Sequence, residues 1–182
     1  MPLSEAPDPV AVATRRLQLI VGAMVVGQVV FLAVAAILRG RGGPDVKAAS
    51  DALPVVTVVA FVATGTVFPL SLIVPGVIAD AARRRIAARP PGPTAGPGAQ
   101  GEDATADLVG VYQARTIAGA AMTDGIALFA TAAYFLEGKS YGLALAVVLA
   151  AATALWFPRR GDAVRWIEDQ LERINDRRRM AG

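Results

Sequence analysis

Hydrophobic positions along the chain gather into long apolar runs separated by short polar or proline-rich segments. The runs are Leu17–Leu38, Pro54–Ile78, Thr116–Glu137 and Tyr141–Phe157. A helix needs about 20 mainly apolar residues to cross a hydrocarbon core of roughly 30 Å. The pattern therefore predicts an all-α membrane protein with four transmembrane helices, followed by an amphipathic cytoplasmic helix at the C-terminus.

The segments between the runs predict how the chain is organised. We expect a disordered tail over 1–14, a first transmembrane hairpin with a basic cytoplasmic extension over 15–89, a Pro/Gly-rich flexible linker over 90–110, a second transmembrane hairpin over 111–158 and an amphipathic cytoplasmic helix over 159–182. Asp162 is the expected N-cap of the last helix. The first run continues past a candidate cleavage site, which disfavours a cleaved signal peptide.

Two parts of the chain also match each other. Ile20, Gly22 and Ala23 align without a gap with Ile117, Gly119 and Ala120, and the second and fourth runs align less closely. Two such halves in the same orientation predict parallel-repeat hairpins about an axis along the membrane normal. In this alignment Asp124 meets Gly27, with Gln28 one residue further on, so the acid and the amide are expected at similar depth.

Composition narrows the range of functions. Of the 182 residues, 54% are hydrophobic and 18% are charged, and the chain has no cysteine and no histidine. Disulfides, thiolate nucleophiles and typical zinc sites are thereby excluded. The sequence contains neither a Ser/His or Cys/His arrangement nor a phosphate-binding loop. We therefore expect a protein that is not an enzyme and that has no metal and no cofactor.

Basic residues predict the orientation. Fourteen of the 18 Lys and Arg residues lie in the N-terminal tail, in the central linker with its flanks, or in the C-terminal segment. Short loops rich in Lys and Arg stay on the cytoplasmic side of a membrane. The distribution predicts a multi-pass protein of a bacterial-type inner (cytoplasmic) membrane, with its N and C termini cytoplasmic.

Asp124 lies near the middle of the third run and is the candidate for polar chemistry. A charged Asp at a helix centre costs about 2.5 to 3.5 kcal/mol, so we expect the side chain to face the bundle as a neutral acid. It can then donate a hydrogen bond to Gln28 or Thr123. This bond is either structural, or part of a proton or cation site formed by Asp124, Gln28, Thr123 and Thr131.

The stretch AAMTDGIALFATAAYFL around Asp124 resembles the carboxylate-bearing helix of rotary ATPase proteolipid subunits, which have a similar run of small residues before the acid. A duplicated hairpin of four spans is similar to the V-type proteolipid. The resemblance implies that Asp124 carries a proton or cation. It covers about 17 residues of one helix, and here the acid lies on the first helix of its hairpin rather than on the second.

Two further sets of residues predict contacts between helices. A ridge of small residues recurs every four positions on the fourth span and is expected to pack closely against another helix; it comprises Gly142, Ala146, Ala150 and Ala154. The C-terminal helix places apolar side chains on one stripe, which either folds back beneath the bundle or docks onto a cytoplasmic partner. The stripe comprises Val164, Trp166, Ile167, Leu171 and Ile174.

These patterns favour a non-catalytic interaction or accessory subunit of a membrane assembly. Its expected partners are the lipid bilayer and either another protein or further copies of itself, without nucleic acid. The alternative is a proton- or cation-translocating subunit that uses Asp124. A membrane enzyme has the least support, because the sequence offers no Ser/His or Cys/His arrangement and no second carboxylate that could pair with Asp124 inside the membrane.

Overall fold

The computed structural model describes residues 8–42, 54–88 and 97–181. These residues form five helices and no strand: α1 (Pro9–Gly40), α2 (Val55–Ala88), α3 (Pro97–Glu137), α4 (Ser140–Leu155) and α5 (Arg160–Ala181). Three of them are long and apolar enough to cross a membrane: α1, α2 and residues 103–137 of α3. The count becomes four if α4 and α5, which meet at a bend of 64°, form one broken span. The all-helical fold is confirmed, as is the presence of several helices long and apolar enough to span a membrane.

Helix α3 forms the centre of the bundle. Half of its apolar window (50%) is buried inside the protein, against 17% for α1 and 17% for α2. It packs against each of the other four described helices, most extensively α2, whereas described parts of α1 and α2 have little direct contact. Because α1 and α2 do not pack together as α3 and α4 do, these contacts do not show the repeat of two hairpins, which stays a prediction.

Small residues bring α3 and α4 close together. Ala127 and Ala130 of α3 pack with Ala146 and Leu149 of α4 in one buried cluster. A Cβ added to Gly142 would lie 3.4 Å from the backbone of α3 at Tyr134, which marks a close approach of the two helices. Many of the large apolar side chains are exposed on the outer surface, as expected of helices that face lipid.

One end of the bundle is joined by hydrogen bonds at helix termini. Arg39, near the end of α1, donates from Nη1 to the carbonyl oxygen of Phe135 in the last turn of α3 at 3.0 Å. Glu137, the last residue of α3, accepts from the backbone N–H groups of Val56 and Thr57 at 2.7 and 3.0 Å. These contacts put the ends of α1 and α3 beside the start of α2, so α2 runs antiparallel to both.

The N-terminal helix starts earlier than predicted. Residues 9–14 belong to α1 rather than to a disordered tail. The Asp8 carboxylate accepts from Val10 N–H at 2.9 Å, and Pro9 occupies the first turn, where its missing N–H is harmless. Residues 1–7 lie outside the described part.

The predicted linker is also partly wrong. Residues 97–110 are helical and form the first turns of α3. Pro97 is compatible with this because it stands at the start of the helix. Ala104 and Leu108 are 7% and 0% exposed and pack with Ile86, Ile167 and Ile174. Burial of these two apolar residues, four positions apart, stabilises a helix in a segment whose proline and glycine content predicted a flexible linker. Residues 90–96 lie outside the described part.

The last helix begins two residues before its predicted cap. The carbonyl oxygen of Arg159 accepts from the N–H groups of Asp162 and Ala163 at 3.1 Å, which places Asp162 inside the first turn. Its carboxylate forms an ion pair with Arg165 at 2.7 Å instead of capping the helix. An acid in the first turn still interacts favourably with the helix dipole.

The small ridge on α4 is buried only over its first half. Gly142 and Ala146 are buried, Ala150 is half-buried and Ala154 is exposed. Leu149 and Thr153 take the buried positions further along the helix. Residues four apart rotate by about 40° at each step, so a ridge of that spacing winds away from a straight contact line.

Candidate functional site

Asp124 and Gln28 line one pocket between α1 and α3. The pocket has a volume of about 500 Å³, and its other lining residues are Ala23, Met24, Gly27, Phe31 and Leu128. Gln28 is 1% exposed, whereas Asp124 is half-buried. Ala23, Gly27 and Phe31 are exposed on the surface of α1, so the pocket opens at the side of the bundle, where the membrane would lie.

The polar groups of this pocket are not satisfied within the described residues. Nε2 and Oε1 of Gln28 and Oδ1 of Asp124 are buried and have no hydrogen-bond partner there. A buried polar group left unpaired costs about 1 to 3 kcal/mol. The predicted juxtaposition of Asp124 and Gln28 therefore takes the form of a shared pocket rather than a bond between the two side chains.

The two threonines predicted beside Asp124 bond within their own helix. The hydroxyl of Thr123 donates to the carbonyl oxygen of Gly119 at 3.0 Å, and that of Thr131 donates to Ala127 at 2.9 Å. Both side chains are almost fully buried, at 0% and 1% exposure. Their hydroxyl protons are committed to α3, and neither hydroxyl is hydrogen-bonded to Asp124.

Helix α3 also contributes to a pocket on its α2 side. This second pocket has a volume of about 490 Å³, and Gly110 and Ala114 contribute to its α3 side. At 100° per residue, Gly110, Ala114, Ala121 and Leu128 lie within about 40° of each other on one face of α3. We call the pocket between α1 and α3, which Gln28 and Asp124 line, the lateral groove.

Arg115, which the sequence pattern did not single out, lies just before the third apolar run. The guanidinium carbon of Arg115 lies 4.9 Å from the ring centroid of Trp166 and 6.0 Å from that of Tyr112. The two rings are 5.5 Å apart. A guanidinium can lie at a membrane boundary when it stacks on aromatic rings and keeps its charged group in the polar interface.

The apolar stripe of α5 lies beneath the bundle. Ile167 and Ile174 are 4% and 1% exposed and pack with Ile86 and Leu108 of α2 and α3. Trp166 and Leu171 are half-buried against the same cluster, and Val164 is half-buried. Of the two arrangements weighed from sequence, the contacts show the folded-back one.

Charged residues hold the C-terminal half of α5 to the C-terminal end of α2. The carboxylate of Asp80 accepts from Arg83, Arg84 and Arg177 at 3.0, 2.9 and 3.2 Å. Arg83 also donates to Gln170 at 3.0 Å. The hydrogen bond from Arg84, followed by that from Arg177, holds the pKa of the Asp80 carboxyl below its ordinary value despite an opposing effect of burial.

The described residues contain no group of three or more acidic, histidine or cysteine side chains that could hold a metal ion. No protein-family model, curated protein or solved structure matches the chain. Function has therefore to be inferred from the lateral groove and its two polar residues.

Proposed function

We propose that the chain is a non-catalytic subunit of a membrane assembly and that it docks through the lateral groove. The observation that carries this proposal is the combination of a 1% exposed Gln28 with three unpaired polar atoms in a pocket that opens sideways. Lipid cannot satisfy these atoms, whereas a polar side chain on a neighbouring helix can.

The rest of the surface supports the groove as the docking site. The apolar stripe of α5 is occupied by α2 and α3, which removes the alternative cytoplasmic surface from use in this conformation. Within the apolar runs 17–38 and 54–78, the exposed large residues of α1 and α2 are aliphatic or phenylalanine, which suits contact with lipid. Within the described bundle the groove combines concavity with unpaired polar atoms.

The proposal includes four spans, with α4 as the fourth, and a bacterial-type inner membrane with both termini cytoplasmic. The distribution of Lys and Arg supports this orientation. Helix α4 has 16 residues, or about 24 Å, so the aromatic pair Trp156 and Phe157 would lie near the boundary where α5 begins. The parallel repeat rests on the sequence matches alone.

Substitution of Asp124 tests this function. Asn keeps a donor and an acceptor in the pocket, whereas Leu has neither. Native electrophoresis of solubilised membranes should show the assembly intact for Asp124→Asn and lost or weakened for Asp124→Leu. An assembly indifferent to both substitutions, and to filling the groove at Gly27, would contradict the proposal.

A translocation role is the second candidate, and the unpaired carboxylate of Asp124 within a span favours it. Here Asn is no longer equivalent to Asp, because an amide cannot release a proton. Purified protein in vesicles containing a pH-sensitive dye separates the two roles. An accessory subunit conducts no protons, whereas a carrier gives a flux that Asp124→Asn abolishes while the assembly persists.

A further inference from the structure

We propose that the lateral groove is filled by a second copy of this chain, so that Gln28 of each copy pairs with Asp124 of the other. This inference rests on the proposed function and names the first partner in the assembly. The resulting interface is a two-fold contact in which the same surface is used twice.

The hydrogen-bonding groups of the two side chains are complementary. A carboxamide offers an N–H donor and a carbonyl acceptor, and a neutral carboxylic acid offers an O–H donor and a carbonyl acceptor. One acid–amide pair therefore contains two parallel hydrogen bonds. In the single chain Nε2 and Oε1 of Gln28 and Oδ1 of Asp124 are buried and lack partners, so both side chains turn towards the groove when the two copies meet. Two such pairs per dimer then engage these atoms.

The depth of the groups agrees with this pairing. Gln28 and Asp124 line the same pocket, so they lie at one level of the bundle. A two-fold axis along the membrane normal keeps every residue at its own depth in both copies. Gln28 of one copy therefore lies at the same membrane depth as Asp124 of the other.

The surface beside the pocket permits close approach of a second helix. Ala23 and Gly27 are exposed on α1 four residues apart, and no atom lies within 4 Å of a Cβ added to Gly27. Ala121 and Gly125 repeat this pattern on the exposed face of α3. Small residues at this spacing let helix backbones pack closely in membranes.

Disulfide cross-linking tests the geometry, because the chain has no cysteine of its own. Gly27→Cys places a thiol at the proposed interface. Gly65→Cys is the matched control, since Gly65 is also an exposed helical glycine with open space around its Cβ, but lies on α2 outside both pockets. In vesicles of mixed bacterial phospholipids under mild oxidation, Gly27→Cys should give a covalent dimer at least several-fold more efficiently than Gly65→Cys.

Side-chain replacement tests the chemistry in the same vesicles. Asp124→Leu or Gln28→Leu removes both acid–amide pairs of the dimer, whereas Asp124→Asn substitutes an amide–amide pair. The association constant of the dimer, measured by energy transfer between labelled chains, should fall roughly ten-fold for either Leu variant. This change is equivalent to about 1.4 kcal/mol. The Asn variant should stay close to the wild type.

Each other outcome overturns the inference in a recognisable way. A monomeric protein, or cross-linking that favours Gly65→Cys, excludes the second copy at this groove. If the protein is monomeric by itself but Gly27→Cys captures a different membrane protein in a fixed ratio, the proposed function stands and the second-copy inference fails. If the groove captures neither, both fail.

Discussion

The indole ring of Trp156 lies directly against the backbone of Gly119. A Cβ added at position 119 would stand 2.6 Å from two ring carbons of Trp156, closer than any real side chain tolerates. Trp156 follows the last turn of α4, and Gly119 lies on the buried face of α3. This contact holds the C-terminal end of α4 against α3, at the point where the chain bends towards α5.

Replacing Gly119 by Ala should therefore destabilise the bundle. Overfilling a packed site costs about 1 to 3 kcal/mol, which exceeds the gain of up to about 1 kcal/mol in helix propensity. The free energy of unfolding in detergent micelles measures the loss. Gly65→Ala is the control, because its Cβ meets open space and it lies outside both pockets, and it should be neutral or stabilising. A Gly119→Ala variant as stable as that control would contradict the contact.

Glu137 should be important for stability although it lies at a helix end. Its carboxylate accepts from Val56 and Thr57 N–H and from the Thr57 hydroxyl, so it caps the start of α2 from the end of α3. Glu137→Ala should lower the free energy of unfolding by about 1 to 2 kcal/mol, and Glu137→Gln by less, because the amide retains an acceptor.

Glu168→Ala is the control for this effect, since Glu168 is exposed on α5. Thermal unfolding of the three variants gives the ranking. If Glu137→Ala and Glu168→Ala change the midpoint equally, then the contact with α2 contributes no particular stability.

The sequence was informative wherever one helix alone determined the outcome. The apolar runs and the amphipathic C-terminal helix follow from composition and periodicity. The start of α3 did not follow, because Ala104 and Leu108 favour helix through burial against Ile86 and Ile174, which are distant in sequence. Proline and glycine content describes the local sequence only, so it does not predict contacts between residues that are far apart in the chain.

The candidate site shows the same division. The alignment of the first and third runs placed Asp124 and Gln28 at similar depth, and in the structure the two side chains line one pocket without a hydrogen bond between them. The rotation of each helix about its own axis was not available from depth. That rotation decides that the pocket opens sideways. The hydroxyls of Thr123 and Thr131 bond within α3 because each reaches the carbonyl oxygen four residues earlier in the same helix. Arg115 was missed because its aromatic partner Trp166 is on another helix.

Asp80 should control the attachment of α5 at low pH. It lies beyond the apolar run 54–78, and its pKa is held below the ordinary value mainly by Arg84 and then by Arg177, against the opposing effect of burial. A carboxylate of this kind stabilises the fold above its unfolded pKa of about 4, and the contribution is lost as the pH falls through the lower folded value. The protection of the α5 amides against hydrogen exchange, relative to the intrinsic exchange rate at each pH, should therefore fall below about pH 4.

The Asp80→Asn variant should show faster exchange near Arg177 already at neutral pH, because the charged acceptor is gone. Asp162→Asn is the matched control: it removes a carboxylate whose partner, Arg165, lies on the same helix. Similar exchange along α5 in both variants would mean that the ion pairs of Asp80 do not hold the helix in place.

The stack of Arg115 on Trp166 should report directly on the docking of α5. The guanidinium carbon is 4.9 Å from the ring centroid, within the range of a favourable cation–π contact worth about 0.5 to 2 kcal/mol. Because the chain has two tryptophans, Trp156→Phe leaves Trp166 as the single indole fluorophore. In that background Arg115→Ala should shift the emission to longer wavelength by uncovering the ring. Arg165→Ala, an exposed arginine paired within α5, should leave it unchanged. Identical emission from both variants would place Trp166 away from Arg115.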